Sequence, residues 1–200
     1  MKKIFTIIFG VLIFFITGIL VVNATVTSET FKNVAPILGV TKGIKVYIPP
    51  KNRLSVTMQH AFMDWQKHTN NNFTFEYVGT QSTANITVVF IDSGMVDICK
   101  SSGALGCTTY AIANTLYGNR RIQKAKVYIS MNDMYGKPMT NNQVYTIMLH
   151  EIGHALGLQH SQNPNSLMYE ITNSQMAEGQ EIRQTDLDAL YKLYGLTPKH

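Results

Sequence analysis

The chain has 200 residues, which is enough for one domain with a sizeable hydrophobic core. Hydrophobic residues make up 45% and charged residues 14%, proportions that fit a folded globular protein. The net charge is +5, but no basic cluster with interleaved aromatic residues occurs, so nucleic acid is not an expected partner.

Residues 1–24 have the pattern of a secretory signal peptide. Lys2 and Lys3 precede an almost unbroken apolar run, which ends in the small residues of Val22-Asn23-Ala24. The run is close to the length that spans a bilayer, so an uncleaved membrane anchor is the alternative. In both cases we expect the remaining domain outside the cytoplasm, either secreted or held at the membrane. Without the two lysines, 15 basic against 12 acidic residues leave a charge of +3.

Hydrophobic periodicity predicts strands and helices after an N-terminal arm at residues 25–43. The predicted helix at residues 53–69 has apolar residues at offsets that form one stripe: Leu54, Met58, Ala61, Phe62 and Trp65. Alternating or β-branched runs predict strands at residues 43–48, 73–78, 84–90, 108–113 and 125–131. A last helix is predicted at residues 183–194, with Gly195 ending it.

Cys99 and Cys107 are the two cysteines of the chain. Outside the cytoplasm, a pair this close in sequence predicts a disulfide around a short loop, and two reduced thiols are the alternative. A zinc site is not indicated, because no histidine accompanies them.

The segment from His150 to His160 has the pattern H-E-x-x-H-x-x-G-x-x-H. Thr140 and Gln143 have the spacing of a capping box, which predicts that a helix begins there and continues into the motif. On that helix His150 and His154 face one metal ion, and Glu151 projects beside it.

Gly157 allows a left-handed turn that brings His160 back as third ligand. Three imidazoles with an open fourth position are typical of a catalytic zinc ion, where a carboxylate such as Glu151 acts as general base.

This pattern resembles the metzincin zinc endopeptidases. Ser166-Leu167-Met168-Tyr169 is similar to their methionine turn, which places Met168 under the imidazoles, and Ser161 after the third histidine is similar to the matrixin branch. The resemblance implies an α/β (α+β) metzincin-like fold at residues 44–200. That fold has a twisted five-stranded mixed sheet, an active-site helix and a small C-terminal subdomain. It also implies that the rim strand at residues 108–113 receives an extended polypeptide by β-augmentation.

The chain departs from the matrixin pattern in several places. No histidine occurs between residues 69 and 149, so we expect one catalytic zinc ion without a second, structural one. A calcium site has no support beyond the scattered Asp92, Asp97 and Asp133. Glu170 stands where the family usually has proline.

His60, Asp64 and His68 share a helix face, which we interpret as a polar surface rather than a second metal site.

These observations predict a secreted, monomeric zinc endopeptidase. The alternative is a catalytically silent zinc-containing module that binds peptides or acts at the cell surface. Intact Glu151 argues against that alternative, because binding alone has no need of a general base. A purely adhesive surface domain is a third interpretation, which metal analysis would exclude.

Overall fold

The apolar runs of the sequence form one mixed sheet with helices packed against it. The computed structural model describes residues 21–27, 37–92, 98–99, 104–114, 120–170 and 179–197. The strands are β1 (Val21–Thr27), β2 (Ile37–Leu38), β3 (Ile44–Tyr47), β4 (Phe75–Tyr77), β5 (Ile86–Ile91), β6 (Gly106–Asn114) and β7 (Arg120–Ser130). The helices are α1 (Ser55–His68), α2 (Asn141–Ala155) and α3 (Gln184–Tyr194).

The strand order across the sheet is β1-β6-β7-β5-β3-β4. Strands β4, β3, β5 and β7 run parallel to one another, and β6 is antiparallel to β7. The predicted α/β fold with its five-stranded mixed sheet is therefore confirmed. β5 and β7 are central, and one face of each is buried in the core through apolar side chains: Ile86, Val88, Ile122, Ala125, Val127 and Ile129.

Two further strands come from the segment that we interpreted as a signal peptide and arm. β2 runs parallel to β7, with Leu38 beside Ile122. β1 runs antiparallel to β6, with Thr27 opposite Thr109. The β-branched valines and threonines of residues 21–27 favour a strand. We assigned these residues to the signal peptide and the arm because a long apolar run precedes them. β6 is consequently flanked on both sides, and our prediction that it forms the free rim of the sheet is corrected.

No helix in the described part of the chain is long and apolar enough to cross a bilayer. The predicted export segment lies outside the described residues except for residues 21–24, which begin β1. Whether it is cleaved or serves as an anchor therefore stays a prediction.

Helix α1 packs its predicted apolar stripe into the core. All five residues of the stripe have 0% exposure: Leu54, Met58, Ala61, Phe62 and Trp65. The indole Nε1 of Trp65 donates a hydrogen bond of 2.9 Å to the carbonyl of Leu149 in α2. This bond ties α1 to the helix turn directly before His150.

Helix α2 begins and ends with the signals that the sequence contains. The Thr140 hydroxyl accepts from the Gln143 amide and the Gln143 side chain accepts from the Thr140 amide, so the predicted capping box is present. After Ala155 the amide of Gly157 donates to the His154 carbonyl at 2.7 Å. Gly157 has φ of +102°, a left-handed conformation that closes the helix at little cost only for glycine.

β6 lies across α2 and is joined to Cys99 by the Cys99–Cys107 disulfide, whose Cα atoms are 5.9 Å apart. The Tyr110 hydroxyl donates to the His154 carbonyl at 2.9 Å. The Thr108 hydroxyl lies 3.0 Å from the Glu151 carbonyl. The strand is therefore held against the same two turns of α2 that carry the sequence motif.

We expect Trp65→Phe to lower the free energy of unfolding by about 2 kcal/mol, because it removes buried ring volume and leaves the Leu149 carbonyl without its side-chain donor. Urea denaturation measures the change. The matched control on the same helix is Val56→Ala at a position that is 60% exposed, which should shift stability by no more than about 0.5 kcal/mol. Equal stability of the two variants would contradict this account of the α1–α2 contact.

Candidate active site

Helix α2 and the turn that follows it bring the three predicted histidines together. His150 and His154 are one turn apart, and their ring centroids are 4.7 Å apart. The reversal at Gly157 brings the ring of His160 within 4.8 Å of His154 and 5.4 Å of His150. One nitrogen from each ring lies within 4.8 Å of those of the other two. The three rings are therefore close enough together to supply three nitrogen ligands to one metal ion.

Hydrogen bonds determine which ring nitrogen faces the shared point. Nδ1 of His150 is 2.8 Å from the Leu167 carbonyl, and Nδ1 of His154 is 2.8 Å from the Leu158 carbonyl. A carbonyl only accepts, so each Nδ1 carries the hydrogen and Nε2 keeps a free lone pair. Nδ1 of His160 lies 3.9 Å from the Glu170 carboxylate. This donor set fits a zinc ion, which favours neutral imidazole nitrogen.

The electrostatic environment favours neutral imidazoles. The pKa of His150 is lowered to about 4, mainly by burial; the bond to Leu167 and the charge of Asp186 oppose this shift, and the nearby His160 adds to it. Burial also lowers the pKa of His154 well below 6.5, with repulsion from the other two rings adding to the effect. Both rings therefore have the protonation state that a metal ion requires at neutral pH.

Glu151 is buried between α2 and β6, with 5% exposure. The pKa of its carboxyl group is raised to about 8 because burial outweighs the opposing effect of the 2.8 Å hydrogen bond from Thr108 to Oε2. A nearby divalent cation would lower it further, because it favours the carboxylate. A group with these opposing influences can exchange a proton near neutral pH, as a general base must.

Met168 is 2% exposed and lies against the active-site helix at Gly153. A Cβ atom at Gly153 would collide with the Met168 sulfur and lie 3.2 Å from the Trp65 ring. Glycine at this position therefore allows the methionine turn to approach the helix between the two histidine turns.

Asp186 is a site residue to which the sequence analysis assigned no role. Its carboxylate accepts hydrogen bonds from the amides of Leu167 at 3.1 Å and Met168 at 3.4 Å, and also from the Ser166 hydroxyl. The Arg183 amide at the start of α3 donates to it at 2.9 Å. Asp186 therefore fixes the turn whose Leu167 carbonyl orients His150. An acidic residue in the first turn of the last helix was the available signal, but that position is ordinarily exposed.

The other candidate metal positions do not converge. Among the described residues, the three histidines of the motif form the one cluster suited to a metal ion. Asp64 accepts a hydrogen bond from Tyr145, and His68 bonds the Asp64 carbonyl at 2.8 Å. Asp133 accepts the amides of Tyr135 and Lys137 within its own turn. Of the aspartates considered for calcium, Asp97 lies outside the described residues.

We expect Asp186→Asn to weaken zinc binding and to destabilise the protein by at least about 2 kcal/mol, because an amide NH₂ would face backbone donors in a buried site. Zinc titration and thermal unfolding measure the two effects. Asp188→Asn on the exposed side of the same helix is the control, and it should leave both quantities unchanged. Wild-type zinc affinity in Asp186→Asn would show that the turn needs no fixed carboxylate.

Sequence comparison links this geometry to known proteins. Metalloendoproteinase 1 of Glycine max is 29% identical over 154 residues, which cover 74% of this chain and 49% of that protein. Probable matrix metalloproteinase 095L of Invertebrate iridescent virus 3 is 30% identical over 72% of this chain and 38% of its own length. Interstitial collagenase of Oryctolagus cuniculus is 28% identical over 78% of this chain and 31% of its own length.

The chain thus spans half or less of the length of these relatives. The family model described as Matrixin matches residues 43–195, from the start of β3 to the end of α3. The match includes the three histidines, Glu151 and the methionine turn. This chain therefore belongs to the matrixin family of metzincins.

Proposed function

We propose that the chain is a zinc-dependent endopeptidase that hydrolyses peptide bonds in extended polypeptides. His150, His154 and His160 would hold one zinc ion, and Glu151 would act as general base. The main support is the convergence of three imidazoles, of which His150 and His154 have Nδ1 hydrogen-bonded to a backbone carbonyl, with a buried carboxyl group one residue after the first. A secreted or membrane-anchored location would follow from residues 1–24.

In this proposal the residues of the chain have separate tasks. A zinc ion held by His150, His154 and His160 would act as a Lewis acid, polarising the scissile carbonyl and lowering the pKa of water. Glu151 takes the proton of the attacking water and passes it to the nitrogen of the leaving amine. Met168 keeps the space beneath the rings apolar, so the imidazoles stay oriented and neutral.

The substrate would bind as an extended strand antiparallel to β6, which carries main-chain groups past Glu151. β1 already pairs with β6 in this direction, with Val26 opposite Tyr110 and Thr27 opposite Thr109. A substrate strand and β1 would therefore compete for the same edge of the sheet. The proposal accordingly includes displacement of β1 before a polypeptide can pair with β6.

We expect Glu151→Ala to keep one zinc ion per chain but to lose hydrolysis by at least 10²–10⁴-fold, because the water loses its proton acceptor and the amine its donor. His160→Ala should lose zinc and activity together, because it removes a ligand. Metal analysis and cleavage of an unstructured protein substrate measure both. Zinc loss in Glu151→Ala, or cleavage at the wild-type rate, would refute the assignment of the base. A wild-type protein that binds zinc without cleaving would support the silent peptide-binding alternative.

We also expect a variant lacking residues 1–27 to have a lower KM for peptide substrates than a variant lacking residues 1–20. Both variants lack the apolar segment, but only the first lacks β1, so only in the first is the edge of β6 open. Initial rates with a fluorogenic peptide give the KM of each variant, and melting temperatures show whether the two variants are equally stable. Equal KM values in two equally stable variants would contradict competition at this edge.

A further inference from the structure

The carboxylate of Glu151 rests on one face of β6. Gly106 and Thr108 are alternate residues of that strand, so they face the same side. A Cβ atom at Gly106 would lie 2.8 Å from Oε1 of Glu151 and 2.6 Å from Cγ2 of Ile147. The Glu151 side chain therefore occupies the space that a side chain at position 106 would fill.

Thr108 binds the same carboxylate directly. Its side chain is 0% exposed, and its hydroxyl lies 2.8 Å from Oε2 and 3.0 Å from the backbone oxygen of Glu151. A hydroxyl has one hydrogen to donate, so the two acceptors share it. Among the described residues, no hydrogen bond uses the other carboxylate oxygen, Oε1.

We propose that Thr108 is a positioning residue for Glu151, an inference that rests on the proposed endopeptidase function. The hydroxyl anchors Oε2 and so fixes the rotamer in which Oε1 lies beside Gly106. Without that donor the side chain of Glu151 would sample other rotamers, and the buried carboxylate would lose a hydrogen bond to a charged group. Thr108 does not touch substrate or metal; it acts through Glu151.

A purely structural role is the competing explanation, because Thr108 also joins β6 to α2 through the Glu151 backbone oxygen. The two roles predict different kinetics. Loss of positioning lowers kcat with KM unchanged, since the edge of β6 that would bind substrate stays in place. Loss of the strand–helix contact would raise KM and reduce zinc content as well.

The kinetic test compares Thr108→Val with Thr108→Ser and Thr146→Val. Thr108→Val keeps the shape but removes the hydroxyl, and we expect kcat to fall about 10–100-fold with KM and zinc content unchanged. Thr108→Ser restores the hydroxyl and should recover most of kcat. Thr146 is a buried threonine of α2 whose hydroxyl has no hydrogen-bond partner in the described part of the chain, so Thr146→Val is a matched control that should keep wild-type kcat.

A second test needs no activity and uses the metal-free protein. Thr108→Val should lower the melting temperature by roughly 3–10 °C. The same change in a Glu151→Ala background should lower it by clearly less, because only the hydrogen bond to the backbone oxygen of residue 151 is then lost. An equal shift in both backgrounds would overturn the proposed contact between the two side chains.

The outcomes separate this inference from the proposed function. A wild-type protein that does not cleave any polypeptide would remove the basis of both. If the wild type cleaves, Glu151→Ala does not, and Thr108→Val keeps wild-type kcat, then only the role of Thr108 fails.

Discussion

The hydrogen bond between Nδ1 of His150 and the Leu167 carbonyl is the contact on which the site depends most. It joins the active-site helix to the methionine turn, and it fixes which nitrogen of the first histidine faces the others. The turn is itself held by Asp186 from the first turn of α3. The last helix of the chain thereby determines the orientation of a side chain 36 positions earlier in the sequence.

Burial has opposite consequences for the two kinds of titratable group in the site. It lowers the pKa of His150 and raises that of Glu151, because a low-dielectric environment disfavours charge of either sign. Burial therefore keeps His150 and His154 in the neutral form, which is the form that binds metal. The glutamate needs compensating partners to ionise, and the hydroxyl of Thr108 is the hydrogen-bond donor that the fold provides. β6 thus contacts the proposed general base and is also the proposed docking edge for substrate.

The position of β1 bears on how such a site could be controlled. Both cysteines are joined in the Cys99–Cys107 disulfide, so neither thiol is available as a competing metal ligand. A strand paired along β6 instead occupies the main-chain donors and acceptors that a substrate would use. Competition of this kind depends on the length and attachment of the N-terminal segment rather than on metal chemistry.

Much of the fold and of the candidate site could be predicted from local sequence patterns. The apolar stripe of α1, the capping box of α2, the glycine that ends α2 and the spacing of the three histidines are all short-range features, which depend on helix geometry and turn conformation alone. For that reason the sequence by itself determined the candidate ligand triad, the family resemblance and the positions of the five predicted strands along the chain.

Tertiary structure decided the contacts that join residues distant in sequence. Asp186 could not be recognised as a partner of the methionine turn, because its burial depends on how α3 docks. Thr108 had the ordinary appearance of a β-branched strand residue until β6 crossed α2 at Glu151. The pairing of β1 with β6 is likewise a register between separate segments, and local propensity contains no information about which strand edge such a segment will choose.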